Sequence, residues 1–185
     1  MWQLHDELQQ GMQAVPADMR QIITHRLTGL SAEEQQILCA GSVVGAAFSA
    51  AAVAAGVDSD VLHVEVVCES LARRRLFLTS HGVSAWPDGT VTRRFRFQHA
   101  LYQHVLYEHI PERQRCFLHH TIGARLERGF AKQTAAIAAK LARHFERGRD
   151  EARAQHYYQH TAKQATALSP QVVLRSHRHA GRASA

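Results

Sequence analysis

The chain has 185 residues, with 22 Lys+Arg against 16 Asp+Glu and a formal net charge of +6. At 45% hydrophobic and 21% charged it has the composition of an ordinary globular protein, long enough to bury a core without a disulfide or metal staple. No apolar run reaches the length of a membrane span, and the opening Met-Trp-Gln-Leu-His-Asp-Glu is unlike the basic, then apolar, start of a signal peptide, so a cytoplasmic protein without membrane contact is expected.

Leu4, Leu8 and Met12 share one stripe of an opening helix. Pro16 suits the first turn of the next, because its missing N–H is not needed there; Met19, Ile22, Ile23 and Leu27 give that helix its apolar side, and Gly29 stops it. Ser31 with Glu34 three residues later forms a capping-box pattern, which predicts a helix from there to about Val44. Gly45 breaks it. Phe48 and Ser49 are read as the start of a short alanine-rich helix, Ala50 to Ala55, with Gly56 as its terminating glycine.

Asp58 or Ser59 is expected to cap a longer helix whose inward residues are Val61, Val64, Val67, Cys68 and Leu71, with Glu65 and Glu69 on the opposite face and Arg73-Arg74-Arg75 at its end. Leu76 to Ser80 and Val91 to Phe97 are the strand candidates, joined through the turn Trp86-Pro87-Asp88-Gly89. Three helices followed by a β-hairpin is the order of a winged helix, so a first compact unit is expected to end near Phe97. Beyond it lie helical stretches 98–109, 111–129, 132–147 and 151–168, with a tight turn at Gly148-Arg149-Asp150. Ile137, Leu141 and Phe145 then face Ala154, Tyr157, Tyr158 and Ala162 across an antiparallel helical pair that needs stacked neighbours to bury its outer sides. The fold class is therefore mainly α: a winged helix, then antiparallel helical hairpins of tetratricopeptide (TPR) type. The end of the chain, 169–185, reads as disordered or as a cut-off repeat, and Arg175, Arg178 and Arg182 there supply half of the positive surplus.

Motifs for catalysis are missing. No glycine is followed by lysine, so the backbone cradle and lysine of a P-loop cannot be built, and G-x-S-x-G, H-E-x-x-H and paired CxxC do not occur. No enzymatic activity is expected. Cys39, Cys68 and Cys116 stand far apart in apolar surroundings and are read as buried thiols. Of the 14 histidines, His156 and His160 have the i, i+4 spacing of a ligand pair, but a third ligand is not apparent; no metal site is expected, and solvated or helix-terminal histidines are the simpler account. Arg93, Arg94 and Arg96 on the second strand could touch a DNA backbone, whereas Glu65 and Glu69 on the would-be recognition helix would repel one.

Several segments together resemble the region that follows the nucleotide-binding domain in bacterial signal-transduction ATPases with numerous domains (STAND), AAA ATPase-like relatives of the NB-ARC and maltose-regulator proteins. The resemblance spans residues 15–165. It rests on Val15-Pro16 with Arg26 to Ser31, on Val43 to Ser49, on Arg94 to Tyr102 leading to Tyr107, on Arg113, Arg115 and His119, on Leu141 to Gly148 and on Ala162 to Ala165.

This likeness implies a non-catalytic regulatory and protein-interaction arm of a signalling or transcriptional regulator, closing over ADP held by a P-loop domain. His99 is similar in place to the family's histidine that reaches the ADP phosphate, although Gln98 and Ala100 flank it here. With no P-loop in the chain, ADP or ATP would be met only through a P-loop NTPase domain in cis or in trans, and helical-repeat proteins are the other expected partners. On this reading residues 1–14 are the remnant of an upstream lid helix, 15–97 the winged helix and 98–168 a helical linker with the first TPR-like hairpin, the whole being a separated piece of a longer regulator. The alternative is a winged-helix transcriptional regulator that binds DNA directly through Arg93, Arg94 and Arg96.

Overall fold

The computed structural model describes residues 17–163. The expected stripe of Leu4, Leu8 and Met12, the role of Pro16 and the tail 169–185 lie outside them. The described part is mainly helical, with one small antiparallel sheet. Among the described residues no helix is long and apolar enough to cross a membrane.

Helix α1 (Ala17–Thr28) buries Ile23 and Leu27 but leaves Met19 and Ile22 about half exposed, so only half of its apolar side is used. Helix α2 (Ala32–Val44) starts at the expected capping box: the Glu34 N–H donates to Ser31 Oγ at 3.2 Å and the Ser31 N–H to Glu34 Oε2 at 2.9 Å. Such a cap stabilises a helix by about 1 kcal/mol. Gly45 then leaves the helix at φ 135°, a backbone region open to glycine.

After Gly45 the chain departs from the expected helix. Ala47–Ser49 is a strand, β1, not the start of a helix, and it pairs with β3 (Val91–Phe97), Phe48 opposite Phe95. Phe48 lies 5.5 Å from the Phe97 ring and fits against Gly41 of α2, where a Cβ would meet its ring at 2.9 Å. Three residues carry no periodicity; their conformation comes from this packing.

Helix α3 (Ala50–Val57) runs past Gly56, and Asp58 takes the left-handed terminating position at φ 52°. Gly56 serves packing instead, since a Cβ there would come within 3.2 Å of Ile122 and Leu118. Asp60, not Asp58 or Ser59, caps α4 (Val61–Arg73), its Oδ1 accepting the N–H groups of Leu62 and His63 at 2.8 and 3.3 Å. Val64, Cys68 and Leu71 are buried, as expected, with Val61 and Val67 at the margin.

The first strand of the hairpin also shifts. Arg75 and Phe77 adopt positive φ (56° and 62°), which breaks the chain before β2 (Leu78–Ala85) begins. β2 continues past Ser80 through an irregularity between Ser80 and Val83, and its mostly exposed side chains explain why no alternation announced it. The sheet order is β1-β3-β2, all antiparallel.

Helices α5 (Ala100–His109), α6 (Glu112–Gly129) and α7 (Thr134–Arg147, after a single 3₁₀ turn at Ala131–Gln133) come next, then α8, described over 151–163. The α7–α8 pair is antiparallel about the Gly148 turn, with Phe145 and Tyr157 stacked at 5.9 Å and 13°. Leu141 and Ala154 are buried with them, while Tyr158 is 46% exposed. One continuous cluster of buried residues runs from Ile23 to Tyr157, so Phe97 marks a change of architecture rather than a gap in the core.

Candidate functional site

His99 is the N-cap of α5, in extended backbone (φ −135°, ψ 141°) directly after β3, and its side chain makes no capping bond. It is exposed. Its ring meets Tyr102 edge-on at 5.4 Å, and the Tyr102 hydroxyl accepts from Arg26 of α1 at 3.3 Å. The α1–β3–α5 junction thus offers an imidazole able to donate to an outside acceptor, backed by an arginine.

The three strand arginines are separated by their surroundings. Arg93 turns to α4, where its backbone N–H donates to Glu65 at 2.7 Å and its guanidinium to Glu69 at 3.1 Å. Glu65 and Glu69 therefore face the hairpin instead of an open surface, contrary to the sequence reading. The exposed side of α4 presents Leu62 and Val66, 70% and 64% exposed, beside His63 and Arg73. Arg94 and Arg96 are exposed on β3.

The tip of the hairpin is anchored. Trp86 is buried against Phe130 at 5.1 Å, with the Arg125 guanidinium 4.6 Å over its ring. Arg125 also donates to Asp88 at 3.0 Å and to Thr90 at 2.8 Å, and the Asp88 N–H donates to the Gly129 carbonyl at 3.2 Å. A cation over a ring and paired with a carboxylate holds the tip onto the end of α6.

A buried polar centre lies between α5, α6 and α7, and sequence reasoning missed it. His119 Nδ1 and His144 Nδ1 are 3.1 Å apart, and His119 Nε2 is 3.0 Å from the Tyr107 hydroxyl, which also accepts from Arg147 at 3.2 Å. Both histidines are buried, and His144 Nε2 has no hydrogen-bond partner among the described residues. Burial, then the charges of Arg147, Arg143 and Arg115, push His119 down to about 3. Burial, then His119, Lys140, Arg143 and Arg147, push His144 down to about 2. Two neutral rings share one proton between their facing nitrogens, and a charge on either has no carboxylate beside it. The reading of the histidines as solvated or helix-terminal fails for this pair. Its signal was the register: His119 stands three residues before Ile122 and seven before Leu126, on the buried side of α6.

Burial raises the Cys39 thiol to about 11, and burial with Glu65 and Glu69 raises Cys68 to about 12, so neither is a ready nucleophile near neutrality. Cys68 is buried as expected, whereas Cys39 and Cys116 are only half-buried. His156 and His160 stand 4.8 Å apart by ring centroids, and no group of three metal-ligating side chains forms among the described residues. No family model, curated protein or solved structure matches the chain.

Proposed function

We propose that this chain is a non-catalytic regulatory and protein-interaction module: a winged helix followed by the first hairpin of a TPR-like region, serving as the arm of a STAND-type signalling ATPase whose P-loop domain stands in cis or in trans. The order α2-β1-α3-α4-β2-β3 with strand pairing β1-β3-β2 carries the reading, because it matches the helix-turn-helix variant with a three-stranded sheet and a terminal hairpin. The exposed imidazole of His99 at the end of that unit supports a phosphate-sensing role. When the arm lies over an ADP-bound core, His99 donates to the nucleotide's phosphate and favours the closed state; exchange of the nucleotide removes that contact and releases the arm.

Two features weigh against direct DNA binding. The hairpin tip that would reach along a duplex is held on α6 by Trp86 and Arg125, and the open stripe of α4 presents Leu62 and Val66 where a groove-reading helix carries polar and basic side chains. Arg94 and Arg96 keep the DNA reading as the alternative.

The test is ADP retained by the assembly purified with its nucleotide-binding partner. His99→Ala is expected to lower retention about tenfold, the worth of one charge-assisted hydrogen bond. Unchanged retention removes the sensing role, and salt-sensitive binding of duplex DNA by the chain alone favours the alternative.

A further inference from the structure

Between the turn after α2 and the middle of α7 lies an open cleft of about 370 Å³. One wall is the segment Val44 to Ala47, and the other is Ala139, Lys140 and Arg143. The first wall is nearly bare: Ala46 is exposed, and a Cβ built on Gly45 would meet nothing within 4 Å. The second presents two cations, one helical turn apart on the same side of α7.

Positive charge gathers here. No carboxylate lines the cleft. Arg20, Arg74, Arg93, Arg125, Arg149 and Arg153 each hold a carboxylate. Among the described residues the side chains of Arg94, Lys140 and Arg143 have no such partner. Burial, then the nearby charges of Arg143 and of Arg94 from β3, bring the Lys140 ammonium down to about 8. Like charges are held near one another, and an anion placed there would relieve their repulsion.

We propose that this cleft binds the phosphate group of a small phosphorylated metabolite, with Lys140 and Arg143 contacting the phosphate oxygens and Arg94 adding to the positive potential. Phosphate alone occupies only part of the volume, which lies at the lower end of the range for small-molecule sites, about 300 to 1,000 Å³. The remainder, walled by Val44, Ala46 and Ala139, suits a compact organic body. A ligand seated there touches both the α2–β1 turn and α7, and so ties the sheet-bearing part of the fold to the helical pair. The site stands independently of the arm function proposed above.

The test is titration of the full chain with inorganic phosphate and with ribose phosphate, at constant ionic strength, followed by amide NMR and calorimetry. Saturable shifts centred on Gly45, Ala46 and Ala47 are expected, with affinity at least about tenfold weaker in Lys140→Gln/Arg143→Gln and unchanged in Arg128→Gln, which removes one positive charge from the end of α6. The single variant Lys140→Gln gives the same direction should the double variant fold poorly. Shifts that do not saturate, or equal affinity in the cleft variants, overturn the proposal. Duplex DNA that displaces phosphate and depends on Lys140 and Arg143 overturns it as well, by assigning the cleft to nucleic acid.

Discussion

Mild acid should unfold this protein through the pair His119 and His144. Unfolded, each titrates near the ordinary histidine value of 6.5; folded, they are held down at about 3 and about 2. A folded pKa below the unfolded one means that the unfolded chain binds the extra protons, so stability is complete above about pH 6.5 and falls as pH drops toward 3. The slope is about 1.4 kcal/mol per pH unit for each histidine, so two units below the unfolded value cost about 3 kcal/mol apiece, or on the order of 5 kcal/mol for the pair. That is a large share of the roughly 5 to 15 kcal/mol that holds an ordinary domain together. The window is specific. Asp88 and Asp150, whose carboxyls are held low first by the backbone N–H groups of Thr90 and Arg153, lose their contribution only as pH falls past their unfolded value of 3.8, where most of the histidine loss is already complete. Urea unfolding at a series of pH values from about 7.5 to 4.5, wild type against His119→Gln/His144→Gln, measures the effect. The wild type should lose several kcal/mol more than the variant across that interval. Parallel pH profiles would refute a buried, neutral pair.

Two local predictions accompany it. Gly129→Ala places a methyl group on the six-membered ring of Trp86, so the hairpin tip should leave α6 and stability should fall by about 2 kcal/mol; in a Trp2→Phe background, a red-shifted Trp86 emission reports the release, and unchanged emission counts against the anchored tip. The Cys68 thiol, raised to about 12, should resist a disulfide reagent at mild alkaline pH in a Cys39→Ser/Cys116→Ser variant and react at once in denaturant; rapid native reaction would show that α4 opens freely.

Much of the helical architecture could be read directly, because its signals act over three or four residues. Ser31 and Glu34 cap each other, Gly148 turns the chain between α7 and α8, and the stripe Val64, Cys68 and Leu71 finds the core it was assigned. Gln98-His99 was legible as the strand-to-helix junction. The misassignments have one origin: the deciding contact is distant in sequence. Ala47–Ser49 is a strand because β3 lies beside it, Gly56 is a packing glycine because Ile122 and Leu118 press on α3, and Glu65 and Glu69 face inward because Arg93 crosses from the hairpin.

The amino-acid order alone thus determined where most helices start and stop, that a hairpin separates two groups of them, and that phosphate-loop and paired-thiol chemistry cannot be built from these residues. Only the tertiary structure decided that the hairpin tip is clamped, that two histidines 25 residues apart share a buried contact, and that Lys140 and Arg143 face bare backbone across a cleft. Caps and turns are settled by neighbouring groups along the chain, whereas burial and charge pairing depend on which surfaces meet, and that is chosen by the whole core at once.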